Sequence, residues 1–324
     1  MSSKEETYYM AGIDEAGYGP LLGPLVITSV VFETPRPEQS LWSALRGAVC
    51  RRACKSGRLQ IADSKKLFTT AAGPGRLERG VLACLRAGGM EVMETFEELL
   101  GRLCHHFGEP LDSQPWYSNL AIPLPVAADP EDISQAAAKL RAEMLKKGIA
   151  LRDVCVNPVH PPKLNRLIRQ RDNKATVLFE ETMSLVRRLL HIYGRRGITI
   201  TADRQGMRRY YEPLICQAFP MSRVEVISEE KKRSEYEIRA GDGIMRLSFV
   251  EKAEDAHLSV ALASMCGKYV REVFMSAFNG YWRERVEGLR PTSGYPRDAR
   301  RFLADIRPAW DEAGVDRDQA VRAR

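Results

Sequence analysis

Gly12-Ile13-Asp14-Glu15-Ala16-Gly17-Tyr18-Gly19-Pro20-Leu21-Leu22-Gly23-Pro24 is the stretch on which the reading of this chain turns. Tyr8-Tyr9-Met10-Ala11 before it and Leu25-Val26-Ile27-Thr28-Ser29-Val30-Val31-Phe32 after it both read as strands. Two adjacent carboxylates therefore sit at the end of a buried strand, beside a glycine-crowded turn. Burying acids is costly unless a positive partner neutralises them, and a divalent cation is the natural one. The glycines let another backbone, such as that of a nucleic acid, come close. Asp-Glu before a Gly-rich turn is also ordinary surface chemistry, so the rest of the chain must decide.

The chain has 324 residues, of which 44% are hydrophobic and 28% charged, values typical of a water-exposed globular protein with a large core. No apolar run reaches membrane-spanning length, and the first six residues lack the basic-then-apolar order of a signal peptide, so a cytoplasmic location without membrane attachment is expected. A net charge of +7 and a pI near 9.0 lean toward polyanionic partners. The positive charge clusters at 166–171, 204–209, 231–233 and 297–301, although solvated helix faces would look the same. The seven cysteines are odd in number and show no Cys-x-x-Cys spacing. Cys104-His105-His106 lacks a second ligand pair, so reduced thiols are expected.

Apolar spacing predicts helices over 41–55, 76–87, 132–147, 175–193 and 258–278. Strands are predicted at 90–95, 198–203 and 224–227, with a hairpin around Ala240-Gly241-Asp242-Gly243. Residues 97–172 carry many prolines and one good helix, which predicts an insertion or small subdomain supplying no core strand. The main domain is then 1–96 with 173–310, of α/β class, and 311–324 is expected to be a flexible tail.

Hydrolysis of a phosphodiester with two metal ions needs carboxylates converging on ions about 4 Å apart. Acids at strand ends and helix starts are the candidates. Asp14 and Glu15 form the first pair, although neighbours on a strand face opposite ways, so Glu15 joins only if the strand bends near Gly17. Asp203 ends the 198–203 strand; taken alone it is equally a turn former. Glu254 and Asp255 precede the 258–278 helix, where acids also serve as caps.

The quoted stretch closely resembles the N-terminal signature of the type 2 ribonucleases H, G-I-D-E-A-G-R-G-P-x-x-G-P, with Tyr18 in place of the arginine. Ala62-Asp63-Ser64-Lys65-Lys66-Leu67 resembles the family's D-S-K-K-L, and Thr292-Ser293-Gly294-Tyr295-Pro296-Arg297-Asp298 is similar to its G-S-G-Y-P-S-D. Lys252-Ala253-Glu254-Asp255, followed by Ser264, Lys268, Arg271 and Glu272, matches K-A-D-E and the S-x-x-A-K-V-x-R-D run, with the acidic pair swapped so that Glu254 takes the metal-binding position.

The resemblance covers roughly 8–96 and 174–305. It implies a ribonuclease H-like mixed sheet flanked by helices, interrupted by an inserted subdomain. It implies an endonuclease that uses Mg²⁺ or Mn²⁺ to hydrolyse the RNA strand of RNA–DNA hybrids, or ribonucleotides embedded in DNA, leaving 5′-phosphate and 3′-hydroxyl ends. Asp14, Glu15, Asp203 and Glu254, or Asp255 in its stead, would hold the metal. Gly17, Tyr18, Gly19, Lys65, Lys66, Lys268, Arg271 and Tyr295 would contact the nucleic acid, the turn reading the 2′-hydroxyl and Tyr295 meeting the sugar. Two rival readings stand beside it: a weak or inactive hybrid-binding protein of the same fold, and a nuclease for another nucleic acid chosen by the insertion.

Overall fold

The structure, a computed structural model, describes residues 7–54, 57–68, 73–90, 93–104, 111 and 114–323. His105 and His106, residues 91–92 of the predicted 90–95 strand, and the first six residues lie outside them. In chain order the elements begin with β1 (Tyr8–Ala16), β2 (Leu25–Thr34), α1 (Leu41–Ala44), β3 (Val49–Cys50), β4 (Leu59–Gln60), α2 (Ser64–Leu67), α3 (Gly75–Ala87) and α4 (Phe96–Leu103). Then come α5 (Pro130–Lys146), β5 (Ala150–Val159), α6 (Pro161–Arg171), α7 (Lys174–Tyr193), β6 (Ile198–Asp203), α8 (Glu212–Ala218), β7 (Arg223–Glu229), β8 (Arg233–Ala240) and β9 (Gly243–Val250). The chain continues through α9 (Ala253–Ala256), α10 (Leu258–Arg283), α11 (Pro296–Asp305), α12 (Arg307–Ala313) and α13 (Arg317–Ala320).

Seven strands form one mixed sheet in the order β5-β2-β1-β6-β9-β8-β7. β2 runs antiparallel to both β1 and β5, whereas β6 and β9 run parallel to β1. β2 is a buried run because both of its faces are covered. Its Val26, Val30 and Phe32 join the core shared with α3, α4, α5 and α10, while Leu25, Ile27 and Val31 join the core under α6, α7 and α8. The period of two in one strand thus serves both layers.

α10 lies directly on β1. A Cβ at Gly12 would stand 2.2 Å from the backbone nitrogen of Val260, and one at Gly267 would meet Thr28 Oγ1 at 2.9 Å. Gly12 lets the start of α10 meet β1 backbone to backbone, and Gly267 lets the helix close on Thr28 and Ala16 at the end of β1.

Three expectations need correction. Residues 150–159 are β5, paired with β2 from Leu25↔Val159 to Glu33↔Ala150, so the segment 97–172 does supply a strand to the main sheet. β5 is an edge strand, where Pro158 leaves no central ladder broken and polar residues are tolerated; Asp153 pairs with Arg188 of α7 at 2.5 Å. Leucines and isoleucines of α4 and α5 likewise belong to the same core as α10.

The helix predicted over 41–55 ends at Ala44, and Val49–Cys50 pairs with Leu59–Gln60 instead. Nor does the stretch 311–324 fray within the described residues. α13 is capped by Asp316, Ala320 is buried, and Arg322 is 2% exposed.

Candidate active site

The β1–β6 ladder stops at Ile13↔Ala202, while β1 stays paired with β2 to Ala16. The sheet therefore opens beside Asp14, and the end of β6 places Asp203 next to it. β9 continues alongside to Val250↔Asp203, and α9 follows after a turn through Lys252 in the left-handed region. Asp203 accepts a hydrogen bond from the Ala253 N–H at 3.0 Å, tying the end of β6 to the start of α9. Register alone thus delivers Asp14, Asp203 and Glu254 to one place.

A cavity of about 110 Å³ occupies this opening, lined by Asp14, Glu15, Asp203 and Glu254, with Asp63 as a fifth acid. Asp14 shares the face of β1 that carries Gly12 and meets α10, whereas Glu15 begins on the opposite face. Both reach the cavity because the sheet has ended on that side. Lys65, Ser264 and Lys268 complete the walls, with Gly17 and Tyr295 also on the lining. A larger groove of about 610 Å³ runs along α10 beyond Glu272, but its walls are mostly apolar and no set of acids converges there.

The electrostatics are those of a carboxylate cluster short of positive charge. Burial, then repulsion from Glu15 and Asp203, holds the Asp14 carboxyl well above the usual carboxylate range, against a hydrogen bond from Ser264. Burial and the charge of Asp203 push Glu15 up to about 8, with Lys65 opposing. Asp203 and Glu254 are raised mainly by burial too. Glu254 Oε2 is buried without a hydrogen-bond partner.

All the acidic donors are hard oxygens, which suits Mg²⁺ or Mn²⁺ and not a soft ion. An orphaned carboxylate oxygen among acids held above their usual range is what a missing divalent charge would satisfy, so the residues fit such an ion. Among the described residues, no three His, Cys, Asp or Glu side chains close into a preformed metal cage. The acids line the cavity without encircling a point, as mutual repulsion dictates.

Asp255 stands apart. Its carboxylate pairs with Lys66 at 2.7 Å, with both side chains more than half exposed, so neither residue lines the cavity. Of the two acids proposed for the same role, the structure brings Glu254 to the cavity and leaves Asp255 outside. Glu254→Gln is accordingly expected to weaken Mn²⁺ binding by isothermal titration about tenfold or more, while Asp255→Asn leaves it within about twofold. The reverse ranking would move the ligand to Asp255.

Arg271 has a second task beside the cavity. It is 1% exposed, and its Nη2 donates to the carbonyls of Leu22 (3.2 Å) and Ser293 (3.0 Å). The side chain thus braces two loops while it also lines the acidic cavity, where its Nε has no hydrogen-bond partner. Lys268 is half-buried, lines the cavity and pairs with Glu272, while Lys65 is exposed at its rim.

Tyr295 is 48% exposed and Tyr18 37% exposed, the latter with the Lys174 ammonium 4.9 Å from its ring centre. Gly17 adopts φ +83° as β1 ends, a conformation only glycine takes at low cost. Lys174, Ser264 and Asp63 were not singled out from sequence as site residues. Ser264 Oγ lies 3.1 Å from Ser64 Oγ, which ties α2 to α10 at the cavity wall. The Asp-Ser-Lys-Lys motif and the small-residue helix were the available signals for this contact.

No family model and no curated protein matches the chain. Among solved structures it is similar to ribonuclease HII of Archaeoglobus fulgidus in a complex with PCNA, at 16% identity and a TM-score of 0.40 over 97% of this chain and 94% of that one. It is also similar to ribonuclease H2 of Pyrococcus horikoshii OT3, at 16% identity and a TM-score of 0.41 over 96% and 92%. A third is Bst ribonuclease HIII in complex with Mn²⁺, at 15% identity and a TM-score of 0.38 over 98% and 67%. The fold itself is a mixed sheet of seven strands flanked by helices. At such identities and TM-scores the chemistry is argued from this chain's own side chains.

Proposed function

We propose that this protein is a divalent-metal-dependent endonuclease that hydrolyses the RNA strand of RNA–DNA hybrids, or ribonucleotides embedded in DNA. The observation that carries the reading is the convergence of Asp14, Glu15, Asp203 and Glu254, from the ends of two strands and one short helix, on a single small cavity. A protein that only bound a polyanion would gain nothing from aiming four acids at it.

Mg²⁺ or Mn²⁺ held by these four residues would supply charge neutralisation and activation of water for attack on phosphorus. The chain's own groups do the rest. Asp203, fixed by the Ala253 N–H, keeps α9 and so Glu254 in place. Ser264 orients the Asp14 carboxyl, and Lys65 and Lys268 offset the negative charge that a phosphate adds. Tyr295 and the turn 17–19 lie at the edge of the cavity, where an aromatic face and bare backbone suit a sugar and its neighbouring phosphate.

The test is cleavage of end-labelled duplexes, one carrying a single ribonucleotide, one a full RNA–DNA hybrid and one all DNA, each with Mg²⁺, Mn²⁺ or chelator. Metal-dependent cutting of either substrate is expected. Tight binding with no cutting would leave a hybrid-binding protein, and cutting of all-DNA duplex alone would assign a different substrate.

A further inference from the structure

Arg322 is an arginine buried without a carboxylate partner among the described residues. Its Nε donates to the Gly23 carbonyl at 2.6 Å, and its Nη1 to the carbonyls of Gly17 and, at 3.3 Å, Pro20. Three carbonyls of one turn are thus held by a single guanidinium. The backbone around it is equally committed: the Arg322 N–H donates to Leu21 O at 2.9 Å, and Val321 bridges Leu22.

From the other side Asn165 of α6 donates to Val321 O at 2.8 Å and accepts from the Ala323 N–H at 2.6 Å. Gln114 donates to Gln319 O at 2.6 Å. The segment 317–323 is therefore packed between α6 and the turn that borders the acidic cavity.

This arrangement is costly. Burial, with the nearby charge of Arg271, holds the Arg322 guanidinium well below its usual range, and its Nη2 has no partner. Its consequence for the turn follows from peptide geometry. Across a trans peptide the carbonyl and the following N–H point in opposite directions. With the Gly17 carbonyl drawn toward Arg322, the Tyr18 N–H points the other way, and it makes no backbone hydrogen bond among the described residues. The Leu21 and Leu22 amides, by contrast, both donate to Gly294 O. One free amide of the turn is thereby aimed outward beside Gly17, which lines the cavity.

We infer that Arg322 is a positioning residue that pins the turn 17–23 so that the Tyr18 amide is presented to an oxygen of the bound strand, a phosphate or a sugar hydroxyl. The assignment rests on the nuclease reading, and the test separates the two. Arg322→Ala and Arg322→Lys would be compared with wild type for kcat and KM on the single-ribonucleotide duplex, binding of matched ribonucleotide-containing and all-DNA duplexes, Mn²⁺ affinity, and amide hydrogen exchange.

Arg322→Ala is expected to lower kcat roughly 10- to 100-fold with Mn²⁺ affinity unchanged. Arg322→Lys should recover part of the loss, since an ammonium reaches fewer carbonyls than a guanidinium fork. Weaker binding of both duplexes would assign a phosphate oxygen; weaker binding of the ribonucleotide duplex alone would assign the hydroxyl. Unchanged kcat and KM in folded Arg322→Ala would overturn the inference, as would Mn²⁺ affinity falling in step with kcat.

Should the wild type neither bind nor cut, the nuclease reading fails, and exchange alone judges the pin. Faster exchange at 18–22 in either variant, with β1 and α10 still protected, upholds it, and unchanged exchange refutes it. If Arg322→Ala does not fold, Arg322→Lys decides by the same measure.

Discussion

Asp14→Asn is expected to reduce metal-dependent cleavage by on the order of 10³-fold or more while making the metal-free protein more stable. The two effects share one cause. Asp14 sits where burial, Glu15 and Asp203 all disfavour its charge, so the folded chain carries an electrostatic load that a cation would relieve. The amide keeps the shape and the Ser264 neighbour but removes one negative charge from the cluster. Turnover is read with Mg²⁺ or Mn²⁺, and stability by thermal unfolding in chelator. Wild-type cleavage in the variant would remove Asp14 from the mechanism, and a lowered Tm would show its charge to be compensated.

The pH dependence of stability follows from the same cluster. A carboxyl whose folded pKa is raised binds protons more tightly when folded, so its favourable contribution is complete below the unfolded pKa and is lost as pH rises through the folded one. For Glu15 that window runs from its ordinary 4.5 to about 8, and Asp14, Asp203 and Glu254 shift in the same direction. The metal-free protein should therefore lose stability between roughly pH 5 and pH 8. Asp14→Asn should flatten that loss.

Much of this site was legible because its residues sit in motifs fixed by local backbone needs. Asp14-Glu15 before Gly17, Asp203 at the close of an alternating strand, and Glu254 just ahead of a small-residue helix are all marked by spacing. The choice between Glu254 and Asp255 was not, because it depends on which way a four-residue helix faces after the left-handed turn at Lys252. The bracing task of Arg271 was hidden for a similar reason. A cation spaced for a phosphate and one spaced for two carbonyls look alike until the loops at Leu22 and Ser293 are placed.

The middle of the chain was the least legible part of the fold. β5 carries Arg152, Asp153, Asn157 and Pro158, a pattern that only an edge strand accepts, and nothing local says that an edge is available. Arg322 left no local signal either, since all its partners lie some 300 residues earlier. Long-range polar contacts of this kind follow from topology and not from periodicity.

Glu78 explains why the proline-rich segment is ordered, and it carries the largest stability prediction. It is fully buried on α3 and accepts four hydrogen bonds: Val126 N–H at 2.6 Å and Tyr269 Oη–H at 2.7 Å on Oε1, and the N–H groups of Ala127 and Ala128 at 2.7 and 2.8 Å on Oε2. One carboxylate therefore joins α3, the turn leading into α5, and α10 one residue from Lys268.

Glu78→Ala leaves these donors unsatisfied in the interior and is expected to cost ~3–5 kcal/mol, lowering Tm by roughly 5–10 °C. Glu78→Gln is the discriminating variant. Its size is right, but every partner is a donor, so its NH₂ must face donors at one of the two positions. It should remain clearly less stable than wild type, whereas Tyr269→Phe, which removes a single donor, should cost only ~1 kcal/mol. A Gln variant as stable as wild type would show that Glu78 fills space and that the charge on this carboxylate does not hold the three elements together.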